Sequence, residues 1–329
     1  MSQAKNDRIS SALDRCYEQA ERISLDASDL RLVIFSDHHR GVRDGADDFL
    51  PCETTYRTAL EHYDKLGYQL CLLGDVEEFW ENSIFRVLNA YKDLVTLEGR
   101  FHQRQALWRI WGNHDDEWRI FSVLDKHLGR LLPRLRAHEA LVVQFEGLEI
   151  QRDILLVHGH QGTLDSDRFA WFSRVFVRYV WRNIQRLFRI PLNTPSRDLP
   201  KRTEHDRAMF TWASSNDCIL ISGHTHRPIF MSSSHMDRLK KEIEESDKEL
   251  EKEALEAKME EVRQLDGESP ELDMDRPLYF NTGCCSFSDG DITGIELAEH
   301  EIRLIKWTGE SKIRMVLVSF SLEDLMKCL

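Results

Sequence analysis

Seven side chains that can bind divalent metals occur in five short clusters, and each cluster directly follows an apolar run. The donors are carboxylate, amide and imidazole groups, namely those of Asp37 and His39, Asp75, Asn113, His158, and His224 and His226. Such oxygen and nitrogen donors suit two divalent cations, which repel each other at about 3.5–4 Å unless an anionic ligand lies between them. Asp75 is the carboxylate predicted to bridge the pair.

Five short apolar runs precede these clusters and identify the elements that must position them. The runs cover residues 32–35, 68–73, 107–111, 154–157 and 219–221, and they are rich in β-branched residues, as buried strands are. In layered α/β folds, ligands bind beyond the carboxyl ends of the strands. Five strand ends that carry donors therefore predict one shared site.

The cluster motifs, taken in this order, resemble those of the calcineurin-like metallophosphoesterase superfamily. The resemblance covers roughly residues 30–230, with a strand-rich return near 277–307. The motifs that carry it are Asp37-His38-His39, Gly74-Asp75, Gly112-Asn113-His114-Asp115, His158-Gly159-His160 and Gly223-His224-Thr225-His226. The expected architecture is an α/β/β/α sandwich of two mixed sheets, with the metals at one edge.

The resemblance implies a role for each donor. The first metal is expected to bind Asp37, His39, Asp75 and His226. The second metal is expected to bind Asp75, Asn113, His158 and His224. His114 is implied to face the phosphoryl group as a catalytic residue, and Asp115 to orient His114.

The expected reaction is hydrolysis of a phosphodiester or pyrophosphate bond. A metal-bridging hydroxide would attack phosphorus in line, because metal binding lowers the pKa of water from 15.7 toward about 7. His114 would stabilise the developing charge or protonate the leaving oxygen. Mn²⁺ is the expected cofactor, and Fe or Zn²⁺ also suits all-oxygen-and-nitrogen ligation.

Three other interpretations of the ligand set stay open at this point. A structural zinc is disfavoured because closed zinc sites favour cysteine, and the seven cysteines fall outside the clusters. A cyclic nucleotide phosphodiesterase would use nearly the same ligands on a smaller substrate. A non-catalytic metal-binding scaffold is the alternative of another class.

A segment rich in arginine and aromatic residues follows His158 and predicts a helical cap over the site. The predicted substrate-binding residues are Arg40, Glu78, Arg168, Arg174 and Arg178. Residues 74–80 are similar to the Gly-Asp-x-x-Glu-x-Trp signature of the UDP-2,3-diacylglucosamine pyrophosphohydrolases, which implies a lipid-linked or nucleotide-sugar substrate. The simpler alternative is a helix packed on the core with a solvated charged side.

Composition indicates an enzyme of a reducing compartment. The 329-residue chain is 41% hydrophobic, carries a net charge of −13, and has irregularly spaced cysteines that predict free thiols. No apolar stretch approaches 18 residues, so a cytoplasmic location is expected, with peripheral contact at the inner membrane surface through the cap. The negative charge disfavours nucleic acid as a partner. The oligomeric state is left open.

The chain divides around one catalytic domain. The predicted parts are an N-terminal helical extension at 1–29 with a helix over 11–23, a metallophosphoesterase domain at 30–307 that includes a cap at 164–213 and a charged helical insertion at 231–275, and a C-terminal strand and tail at 308–329. A hairpin is expected to turn at Glu299-His300.

Overall fold

The structure of the chain is a computed structural model. The structure describes residues 3–163, 199–245 and 274–328, together with positions 252, 255, 256, 259 and 272. Most of the predicted cap, at residues 164–198, and most of the charged insertion therefore lie outside the described residues.

Strands and helices alternate through the first two thirds of the chain, and strands dominate the last third. The strands are β1 Glu21–Asp26, β2 Arg31–Phe35, β3 Gln69–Leu73, β4 Leu107–Ile110, β5 Ala140–Glu146, β6 Ile154–Val157, β7 Ile219–Ser222, β8 Ile229–Phe230, β9 Ser233–Ser234, β10 Tyr279–Asn281, β11 Ile292–Ala298, β12 Glu301–Trp307 and β13 Arg314–Ser321. The helices are α1 Gln3–Gln19, α2 Glu53–Lys65, α3 Ile84–Ala90, α4 Lys92–Gln103, α5 Phe121–Leu128, α6 Leu199–Asn216, α7 His235–Glu245 and α8 Leu322–Lys327. Short 3-10 helices cover Ala27–Asp29, Leu50–Cys52 and Asp116–Arg119.

The strands form two mixed sheets, as predicted. A seven-stranded sheet has the order β1-β5-β6-β7-β10-β8-β9, and a six-stranded sheet has the order β13-β12-β11-β2-β3-β4. Strands β2, β3 and β4 run parallel in one sheet, and β6, β7 and β10 run parallel in the other. All five apolar runs identified in the sequence form strands of these sheets.

Side-chain alternation along β2 shows how the layers are built. Leu32 and Ile34 point into a core shared with the seven-stranded sheet, whereas Val33 and Phe35 point into a second core with α2 and α4. On the far side of the seven-stranded sheet, α1 contacts β5 and α6 contacts β7. The result is the expected α/β/β/α sandwich.

The N-terminal segment differs from the prediction of a purely helical extension. The helix covers Gln3–Gln19 rather than 11–23, and β1 then adds a strand parallel to β5, with Ile23 opposite Val143. Ile23 and Leu25 are buried and alternate with exposed residues. This period of two buries one face of a strand, whereas a helix would have spread the same residues around its surface.

The C-terminal segment confirms the predicted hairpin and adds a helix. β11 and β12 pair up to Ala298 and Glu301, and Glu299 and His300 between them have φ angles of 54° and 63°. A two-residue turn with both φ angles positive matches the twist of a β-hairpin. The predicted tail forms α8 after β13, begun by Ser321, whose hydroxyl accepts from the amide of Asp324.

Two further findings concern the cysteines and the apolar character of the helices. All seven cysteines are free thiols, and six of them are buried, as the sequence predicted. Among the described helices, none is both long and apolar enough to cross a membrane.

Candidate metal centre

The carboxyl ends of parallel strands from both sheets deliver the predicted ligands to one edge of the sandwich. Asp37 follows β2 and Asp75 follows β3, and the pairing of these strands continues past their ends. The amide of Asp37 donates to the carbonyl of Gly74 at 3.1 Å, and the amide of His39 donates to the carbonyl of Asp75 at 2.9 Å. The amide of His224, after β7, donates to Oδ2 of Asp37 at 3.0 Å, which joins the two sheets.

The backbone is left-handed at most of the predicted ligands. Positive φ angles between 50° and 68° occur at Asp37, His39, Asp75, His224 and His226. A non-glycine residue in this region costs roughly 1–3 kcal/mol and persists where the surrounding structure enforces it. Five of the seven predicted ligands share this conformation at one edge of the sandwich, and such strained residues cluster at functional sites.

Six of the seven predicted ligands, together with His114, fall into three overlapping sets whose donor atoms lie within 4.8 Å of one another. The sets are Asp37, His39 and His226; His39, Asp75 and His114; and Asp75, His158 and His224. Oδ1 of Asp37 lies 3.1 Å from Nε2 of His226, and Oδ2 of Asp75 lies 3.1 Å from Nε2 of His158. Asp75 belongs to two sets, which is the arrangement expected of a bridging carboxylate.

Asn113, the seventh predicted ligand, has an amide oxygen that fits a cation. Its Oδ1 atom is buried and accepts no hydrogen bond from the described part of the chain. A buried acceptor without a donor costs about 1–3 kcal/mol, which a bound cation would offset. The neighbouring Gly112 allows the close approach, since a Cβ there would lie 2.6 Å from the amide of Asp75 and 2.8 Å from the ring of His158.

The electrostatics of the site also favour cations. Burial alone would raise the carboxyl pKa, but the surrounding histidines hold the pKa values of Asp37 and Asp75 below their ordinary range. Burial opposes protonation of His39 and His158, yet the nearby carboxylates raise their pKa values to about 10 and about 9. Protons on these two imidazoles therefore balance the buried anions where a metal would otherwise do so.

His158 presents one ring nitrogen to the site in a fixed orientation. Its Nδ1 atom lies 2.8 Å from the carbonyl oxygen of Leu73, which accepts the Nδ1 proton. Nε2 then faces Asp75, as an imidazole ligand held by a second partner should. Gly74 allows this packing, because a Cβ at its φ of 85° would lie 2.6 Å from the His158 ring.

A sequence profile described as calcineurin-like phosphoesterase matches residues 30–228. The chain belongs to the calcineurin-like phosphoesterase family. A comparison with solved structures finds Vacuolar Protein Sorting 29 from Cryptosporidium parvum, at 14% identity and a TM-score of 0.40, covering 89% of this chain and 98% of that one. Another is a conserved uncharacterised protein of Streptococcus pneumoniae, described as a predicted phosphoesterase, at 13% identity and a TM-score of 0.31, covering 89% and 97%. No curated protein matches the sequence significantly.

His114 of this phosphoesterase is held by a carboxylate and an indole. Nδ1 of His114 lies 2.6 Å from Oε2 of Glu78, and the ring stacks on Trp80 at 4.3 Å and 18°. Burial lowers the pKa of His114, but Glu78 and Asp75 outweigh it and raise the pKa. Against the opposing effect of burial, His114 and His39 hold the pKa of Glu78 at about 2.

In the structure, Glu78 makes the contact with His114 that was predicted for Asp115. Glu78 was expected to bind substrate, yet its oxygens contact His114, His39 and the amide of Trp80. Asp115 was expected to orient His114. It instead accepts from the amides of Val76 at 3.0 Å and Gly112 at 2.6 Å. Burial and the neighbouring Glu77 raise the pKa of Asp115 to about 7.

The prediction that Arg40 binds substrate is wrong. Its side chain is fully buried and forms an ion pair with Glu98 at 2.5 Å, with its guanidinium 5.3 and 5.2 Å from the ring centres of Phe49 and Tyr56. The prediction relied on the position of Arg40 next to His39 in the sequence. In the structure, the side chain of Arg40 points into the core beneath α2, away from the site. The other predicted arginines, Arg168, Arg174 and Arg178, lie outside the described residues.

Two buried residues that sequence reasoning missed hold the ligand loops. Nε2 of His205, on α6, donates to the carbonyl of Gly159 at 2.7 Å, and burial lowers the pKa of His205 to about 4. The amide nitrogen of Asn281 donates to the carbonyl of Gly223 at 2.7 Å and to Oγ1 of Thr225 at 3.1 Å. Neither residue lies in a motif, so only the fold reveals their positions.

Metal affinity should rise with pH up to about 9–10, because His39 and His158 must each lose a proton before they can bind a cation. Titration of Mn²⁺ by calorimetry at pH 7.5, in buffers of different ionisation enthalpy, should detect released protons. The metal-free protein should also lose stability as pH rises from about 6.5 toward 10, since both pKa values are raised by folding. Binding without proton release would contradict this charge balance.

The buried Arg40–Glu98 pair gives a test of the reassigned arginine. Glu98→Gln should lower the free energy of unfolding by about 3–5 kcal/mol, because it leaves a buried guanidinium without its counter-charge. Replacing both partners, Arg40→Met with Glu98→Leu, should recover much of that loss. Chemical denaturation measures both, and Glu323→Gln, on an exposed pair with Lys327, is the control expected to change little. An unaffected Glu98→Gln variant would show that the pair is dispensable.

Proposed function

We propose that this protein hydrolyses a phosphodiester or pyrophosphate bond with two divalent metals. The observation that carries the proposal is the sharing of Asp75 between a set with His39 and a set with His158 and His224. One carboxylate within reach of both sets is what a cation pair needs at short separation. The family assignment independently supports phosphoesterase chemistry.

Bound divalent cations supply a water of lowered pKa and positive charge for the phosphoryl oxygens. The chain supplies the rest. Asp37, His39 and His226 hold one side of the site, while Asp75, Asn113, His158 and His224 hold the other. Because these ligands come from strand ends of a rigid sandwich, they keep their spacing when substrate binds.

His114 is the proposed proton donor to the leaving oxygen. Its ring is partly exposed and shares a set with His39 and Asp75, so it faces the same space as the proposed metals. Glu78 raises the pKa of His114 and thereby keeps the protonated form available near neutral pH. Trp80 fixes the plane of the ring and also donates from its indole to the carbonyl of Asn113 at 2.6 Å. A metal ligand and the proton donor are thus positioned together.

Manganese is the proposed metal, since all seven donors are oxygen or nitrogen and none is a thiolate. A lipid-linked or nucleotide-sugar pyrophosphate is the proposed substrate class. It rests on the arginine and aromatic residues at 164–198, which lie outside the described residues, and on the likeness of residues 74–80 to pyrophosphohydrolases. A cytoplasmic enzyme at the inner membrane surface would meet such a substrate.

Two substitutions separate the roles of Asp75 and His114. Asp75→Asn should remove most bound metal, because both ligand sets lose their shared negative charge. His114→Ala should keep the metal while lowering turnover roughly 10²–10⁴-fold, the range for a lost acid. Elemental analysis and kcat measure these effects, with Asp29→Asn as a surface control. If His114→Ala empties a site, His114 is a ligand and its proposed role fails.

A substrate panel with Mn²⁺ tests the class of reaction. UDP-diacylglucosamine should be cleaved with a higher kcat/KM than bis(4-nitrophenyl) phosphate, cyclic AMP or a phosphoprotein. Preference for cyclic AMP would favour a cyclic nucleotide phosphodiesterase and overturn the pyrophosphate proposal. A metal-loaded protein that cleaves none of the four would be a scaffold.

A further inference from the structure

A cavity of about 790 Å³ lies beside the proposed metal centre, and helix α1 forms one of its walls. Asn113 and His160 belong to its lining, so the cavity reaches the side of the centre that holds the second ligand set. We call it the α1 cleft, and its lining includes Arg8, Arg15, Trp111, Asn113, Arg119 and His160. The family match begins at residue 30, so α1 lies outside the matched region.

Helix α1 is firmly seated against the loop that carries a predicted ligand. At Gly162, four residues after His158, an added Cβ would lie 2.6 Å from the Cα of Ile9. Ile9 is fully buried, and the indole of Trp212 donates to Oδ1 of Asp14 at 2.7 Å. The helix is therefore a fixed part of the wall rather than a loose extension.

Three arginines in the α1 cleft have guanidinium groups without a partner among the described residues. Arg8 and Arg15 are exposed and lie about two turns apart on α1. Arg119 is exposed at the end of the 3-10 helix Asp116–Arg119. Within the described part of the chain, none of the three forms an ion pair or a hydrogen bond through its side chain. A concave surface with unpaired guanidinium groups attracts anions.

The same lining also contains three acidic residues. Asp7 and Asp116 interact with other groups of the chain, and Glu139 is hydrogen-bonded to the thiol of Cys16. Trp111 also belongs to the lining, and its ring lies 5.3 Å from the ring of His160.

We propose that the α1 cleft binds a second phosphate group of the substrate, separate from the one that is cleaved. The proposal rests on the proposed phosphoesterase function and adds a specificity site to it. Arg8, Arg15 and Arg119 bind the second phosphate, because guanidinium groups match phosphate oxygens in pairs. Trp111 contacts the part of the substrate that lies beside this second phosphate. Substrates with a single phosphate use only the metal centre.

A matched pair of chromogenic substrates tests the proposal. Thymidine 3′-(4-nitrophenyl phosphate) with a 5′-phosphate carries the second anion, and the same ester with a free 5′-hydroxyl lacks it. With Mn²⁺, the 5′-phosphorylated ester should have the higher kcat/KM. Arg8→Gln, Arg15→Gln or Arg119→Gln should each lower that value roughly tenfold, as for one partly exposed charge-assisted hydrogen bond. The same variants should change the other ester less than about twofold.

Arg57→Gln, on α2 against the other sheet, is the matched control and should affect neither ester. A wild-type protein with no preference for the 5′-phosphate, or variants that lose activity equally on both esters, would overturn the cleft proposal. Calorimetry on the metal-free protein keeps the two proposals apart. Thymidine 3′,5′-bisphosphate should bind more tightly than thymidine 3′-phosphate, and the arginine variants should abolish the difference. Absence of turnover on both esters with this binding difference intact would count against the proposed function alone.

Discussion

Two buried carboxylates, those of Asp37 and Asp75, meet where the two sheets end. The surrounding structure places groups that can carry positive charge beside them. Anions in a low-dielectric interior need cations close by, or they become protonated. Here imidazoles from both sheets provide that charge as protons and offer the same nitrogen atoms to metals. The left-handed backbone at five ligand positions is the conformational cost of aiming these groups inward from straight strands.

Around this charged centre, a second group of residues fixes geometry without reaching the reacting atoms. Glu78 and Trp80 hold His114, Asp115 ties the loops after β3 and β4 together, and Asn281 braces the loop that carries His224 and His226. Their hydrogen bonds run largely to backbone groups, so the loops are held by many weak contacts rather than one strong contact. Such support keeps ligands preorganised, which metal chemistry requires.

The ligands and the five strands that carry them were predictable because each is a local pattern, an apolar run followed at once by donors. The layers followed from those strands. Strand β1 was missed since its partner β5 lies more than a hundred residues away and had no donor to mark it. Arg40 and Asp115 were misassigned because adjacency to a ligand does not say which way a side chain points. The support from Asn281 and His205 arises only from long-range packing.

The seating of α1 against Gly162 has a consequence for how proteins of this kind are grouped. Helix α1 precedes the region that the family model matches, yet it packs against the loop that follows His158. Part of the wall beside the metal centre is therefore formed by residues that do not define the family. Two proteins with identical metal ligands can therefore place different residues beside the phosphorus atom of the substrate. Classification by donors alone would merge them, whereas comparison of their leading helices would tell them apart.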